Sequence, residues 1–73
     1  MITDKEVAKK ISEMVLKMGG ELNDSLFLVQ ARCNEDEFLV YKKQVVNLMA
    51  DMLLNILNPL YKKHPDIKPK ELN

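Results

Sequence analysis

NEDEFLVYKKQVVNLMADMLLNILN, residues 34–58, is the longest run of apolar residues at helical spacing in the chain, and its reading decides the fold. Advanced at about 100° per residue from Phe38, it gathers Phe38, Tyr41, Val45, Val46, Leu48, Met49, Met52, Leu53, Ile56 and Leu57 into an arc of about 180°. One packing surface needs a stripe of only about 100°. A single neighbour cannot cover this helix. The opposite side carries Lys43, Gln44, Asn47, Asp51 and Asn58, so the segment keeps a wet face and is too short and polar to span a bilayer. Its start is marked by Asn34 as N-cap, by Glu37 as capping-box partner, and by Glu35 and Asp36 at the positive end of the helix dipole. Cys33 and Phe38 stand where a hydrophobic staple would be. Before Pro59 the helix is expected to stop or kink, because the proline ring disfavours helical geometry at Asn58 and removes an amide donor.

Upstream, Thr3-Asp4-Lys5-Glu6 reads as a capping box flanked by Ile2 and Val7, and Val7, Ala8, Ile11, Met14, Val15 and Met18 share one stripe. Gly19 and Gly20 are expected to close this first helix at a left-handed C-cap. Neither GxxxxGK[ST] nor GxGxxG surrounds them, so a phosphate loop is not indicated. Leu22, Asn23, Asp24 and Phe27 look like a second start, giving a short helix to Cys33 that is apolar on most sides. The alternative is one unbroken helix from Asp24 to Asn58. After Pro59 a short helical turn to Lys63 is expected, with Asn58 as its cap and Leu60 and Tyr61 packing back. Residues 64–73 then read as an extended tail biased by Pro65 and Pro69, with Ile67 and Leu72 as anchors.

Seventy-three residues make one domain or part of one, and a chain of that size buries only about 60% of its unfolded surface. One cysteine allows no internal disulfide, and a lone thiol fits a reducing, cytoplasmic setting. Eleven basic and eleven acidic residues cancel, which removes the overall field that draws proteins to nucleic acid or anionic membranes. The charge is unevenly spread: residues 21–40 hold five acids against one base, residues 61–73 four bases against two acids.

No stretch reaches the specificity of a catalytic, metal or cofactor signature, and none of the three is expected. His64, the only histidine, reads as a solvated residue in a basic tail. Cys33 reads as a small packing residue beside a cap, and Glu35, Asp36 and Glu37 as the acids a helix dipole selects. Lys42 breaks the apolar arc and could snorkel or pair with an acid of another chain. Asn55, at its edge, reads equally as an ordinary half-exposed residue or as a buried amide that sets the register of an association. The helix opening on Glu35, Asp36 and Glu37 would repel phosphate where a recognition helix offers Arg or Lys.

The expected molecule is all-α: a single helical domain over residues 1–63, with helices at about 4–18, 24–33 and 35–58, a turn at 59–63, and the tail 64–73. Two copies are expected to form a two-fold symmetric helical bundle through Phe27, Val46, Met49, Leu53, Ile56 and Leu57. The function that follows is protein–protein association without catalysis, as a homodimeric adaptor or regulator that binds itself or a helix of another protein. Two alternatives are an accessory nucleic-acid-binding or antitoxin-like regulator using the lysine tail, and a ligand-binding or enzymatic site between subunits near Lys42, Tyr41 and Glu37. A membrane partner is not expected.

Overall fold

A computed structural model describes residues 1–70 and is all-helical, with no strand among them. The helix α1 spans Lys5–Arg32, and α2 spans Glu35–Asp51. The second helix runs on through a π turn, Met52–Leu57, into α3, Asn58–Lys63, and a 3-10 turn at Pro65–Ile67 closes the fold. Two antiparallel arms result, joined at Cys33 and Asn34, in a rod of 44 × 20 × 16 Å.

The N-cap of α1 is Asp4, whose carboxylate accepts from the Val7 amide at 3.1 Å, so the helix begins one residue later than a box on Thr3 would put it. The expected stop at Gly19 and Gly20 does not occur. Neither glycine takes a positive φ, and α1 passes through both. The reason is tertiary: Ala8, Ser12, Val15, Gly19, Leu22, Leu26 and Val29 are spaced alternately four and three apart, a continuous seam facing the second arm. A helix break at Gly19 would throw the second half of that seam out of phase. The helices expected at 4–18 and 24–33 are therefore one, and Asn23 is interior to it.

The break falls at Cys33 and Asn34, both extended, which also excludes an unbroken helix from Asp24 to Asn58. The Asn34 capping box forms in full: the Glu37 amide donates to Asn34 Oδ1 at 2.8 Å, and the Asn34 amide reaches Glu37 Oε1 at 3.4 Å.

Pro59 neither stops nor caps the second arm. Leu57 and Asn58 keep right-handed helical angles, and Asn58, expected as a cap, lies inside the helix with its amide bonded to the Leu53 carbonyl five residues back. This wider turn takes in the missing donor and the bulk of the proline ring. It also adds one residue to the turn, and so rotates everything beyond it by about 100°. Leu57, Leu60, Tyr61 and His64 thereby face α1 in line with Val45 and Met52.

The core is small: Ala8, Val15, Val45, Met52, Leu57, Leu60 and Tyr61 are buried, with Ile11, Leu16, Leu22, Ile56 and Ile67 packed partly against them. Residues 64–67 are not an extended tail. His64 is 9% exposed, and its Nε2 donates to the Ile2 carbonyl at 2.7 Å, while the Ile67 amide bonds back to the His64 carbonyl. The solvated reading of His64 is thus corrected, because the ring clasps the two chain ends together. Ile67 anchors the segment as expected; Leu72 lies outside the described residues.

Candidate functional site

The seam that holds the arms together carries a gap at Gly19. A Cβ built at Gly19 or Gly20 would meet nothing within 4 Å. The gap widens into a groove of about 450 Å³ between α1 and the second arm, lined by Leu16, Gly19 and Gly20 on one side and Met49, Ala50 and Leu53 on the other. Buried Val15, Met52 and Leu57 form its base, Asn23 also borders it, and no charged residue among the described ones lines it.

The apolar surface extends past the groove. Leu16, Gly20, Asn23 and Phe27, at steps of four, three and four, lie on one side of α1; Leu39, Val46, Ala50 and Leu53 lie on the matching side of the second arm. Phe27 is 64% exposed, Val46 50% and Leu53 42%. Of the six residues expected at an interface, Phe27, Val46, Met49 and Leu53 therefore share this face. Leu57 is only 5% exposed and Ile56 packs against the core, so those two are held by their own chain. For Leu57 the cause is the π turn: α-helical counting puts it about 120° from Val45, and the extra residue of the turn brings it back toward the core.

The opposite side of the hairpin is also apolar but less uniform. Met18, Leu22 and Leu48 line a hollow there together with Glu21, Ser25 and Tyr41, and the Tyr41 and Ser25 hydroxyls share a hydrogen bond of 2.6 Å. Met14, Leu28 and Val40 are exposed there, and because Phe27 and Leu28 are both exposed, the short segment before Cys33 is not buried on most sides within one chain.

The polar candidates separate. Lys42 is exposed, its ammonium 5.9 Å from the centre of the Phe38 ring, a cation–π contact one turn along its own helix. Tyr41 and Glu37 border a shallow hollow with Asp36, Val40 and Gln44, and Lys42 does not line it. The three residues proposed to cooperate between subunits are thus not converged in one chain. Asn55 is exposed and donates to Asp51 Oδ1 at 3.5 Å, a contact along its own helix that leaves it off the groove. Cys33 is an exposed free thiol at the tip of the hairpin, not a packed residue. No three His, Cys, Asp or Glu side chains converge as a metal cluster among the described residues, and no helix among them is long and apolar enough to cross a membrane.

Pattern reading missed the polar clasp at the open end. Ser12 and Tyr61 are buried and share a hydrogen bond of 2.5 Å, next to the His64–Ile2 bond. Outside it, Lys5 pairs with Asp66, and that ammonium hydrogen bond, ahead of all other causes, lowers the Asp66 carboxyl below its ordinary value of 3.8. The available signal was Ser12 standing at a seam position between Ala8 and Val15. The chain matches no family model, no curated protein and no solved structure.

Proposed function

We propose that this chain is a self-associating helical module: two hairpins pack through the face of Leu16, Phe27, Val46 and Leu53 into a four-helix bundle, which serves as an adaptor or regulator. One observation carries this reading. The chain exposes 5652 Å², about 1000 Å² more than a compact monomer of its 8.4 kDa would. A standard interface takes about 800 Å² from each partner, so the excess is of the size that one association would hide. The radius of gyration agrees: 14.5 Å against about 11 Å for a compact domain of this length.

The second apolar margin, with Met18, Leu28 and Leu48, stays open in such a dimer. It is the surface on which a helix of another protein would lie, and its methionines suit an adaptable contact.

Sedimentation equilibrium tests the association. The parent chain is expected at twice its monomer mass at micromolar concentration. Leu53→Glu, which buries a charge in the groove, is expected to be monomeric and still helical, whereas Leu48→Glu on the other margin leaves the mass doubled. A parent chain that stays monomeric at high concentration ends this reading.

A further inference from the structure

We propose that the second copy lies antiparallel on the grooved face, fully overlapped, with the acidic hairpin tip of each chain over the lysine-bearing open end of the other. This rests on the self-association proposed above and adds its direction. The groove stands at mid-length, since Gly19 and Gly20 occupy the middle of the 28-residue α1. Full overlap therefore brings the groove against its own copy whichever way the second chain runs. Charge decides which way.

The tip carries exposed Glu35, Asp36 and Glu37. Exposed Lys9, Lys10, Lys62, Lys63 and Lys68 crowd the other end, brought together there because His64 is bonded to Ile2 and Lys5 to Asp66. Both signs reach the docking face itself. Lys9 lies on the same side of α1 as Leu16 and Phe27, and Glu35 lines the hollow beside Leu39. A parallel pair stacks Lys9 on Lys9 and Glu35 on Glu35, within about the 8 Å over which physiological salt leaves charges felt. An antiparallel pair sets each against its opposite. The other margin is a poorer seat, since Glu21, Asp36 and Glu37 border its hollows.

Cys33, the only cysteine, is free, exposed and at the tip, so the unmutated chain can be tested directly. Nitroxide is attached to Cys33, the mass of the labelled chain is checked by sedimentation, and the label-to-label distance is read by pulsed dipolar spectroscopy. Antiparallel overlap puts the two labels about 40 Å apart, nearly the length of the 44 Å rod. A dimer with a separation below about 30 Å, or with no dipolar modulation, overturns the antiparallel arrangement and leaves self-association standing. A labelled and unlabelled chain that are both monomeric, with no modulation, overturn both.

Discussion

At the scale of single residues, what joins the open end of the hairpin is polar. Ser12 and Tyr61 face one another from the two arms, both shielded from water, so each hydroxyl depends on the other. Removing one partner leaves a buried polar group unsatisfied, which costs more than removing both. Tyr61→Phe is expected to lower unfolding free energy by about 1 kcal/mol, and Ser12→Ala added to it to recover most of that loss. Urea denaturation of the four-member cycle reads the coupling; strictly additive losses would mean the bond contributes nothing. These residues show how uneven legibility is. Asn34 and Glu37 were readable because a capping box is closed within four residues. The role of His64 was not, because its acceptor is the carbonyl of Ile2, 62 positions away.

At the scale of elements, the π turn is the feature that sets where the C-terminal third points. Val45 and Met52 are seven apart and helical in phase, but the next buried residue, Leu57, follows after five. An α-helix through that step would turn Leu57, Leu60 and His64 away from α1; one extra residue in the turn brings them back. Leu54, 60% exposed in the middle of it, can stand for that extra residue. Deleting Leu54 restores α-helical spacing and the same phase, but forces the Pro59 ring against a carbonyl four residues back, at about 3 kcal/mol. Deletion combined with Pro59→Ala is expected to return the melting temperature close to that of the parent. A double variant as unstable as the deletion alone would show that phase is not what the π turn supplies. The same logic explains the misreading at Gly19 and Gly20: glycine in a helix interior costs about 1 kcal/mol against alanine, a penalty that seam contacts on either side can outweigh.

At the scale of the whole molecule, the balance between core and surface governs behaviour. Among the described residues seven buried apolar side chains hold a rod 44 Å long, while Phe27, Leu28, Leu39, Val40, Val46 and Leu54 are each at least half exposed. On the proposed pairing of two hairpins, association supplies much of the stability of a fold with so little interior. Its melting temperature is accordingly expected to rise with protein concentration, since each tenfold increase shifts a dimer–unfolded equilibrium by about 1.4 kcal/mol. Calorimetry across two decades of concentration measures the trend, and a midpoint that does not move would contradict it.

The residues alone determined that the chain is all-α and that a helix starts after Asn34, and they pointed to more apolar surface than one short chain can cover. Each of these follows from periodicity or from hydrogen bonds closed within a turn. Apart from the break at Cys33 and Asn34, where the helices are interrupted was settled only by tertiary structure. Whether Gly19 and Gly20 end a helix, whether Pro59 breaks one, and whether residues 64–67 trail or dock all depend on contacts between segments up to 62 residues apart. Local preferences of about 1 kcal/mol set the order of the possibilities at such points, and burial against the opposite arm decides among them.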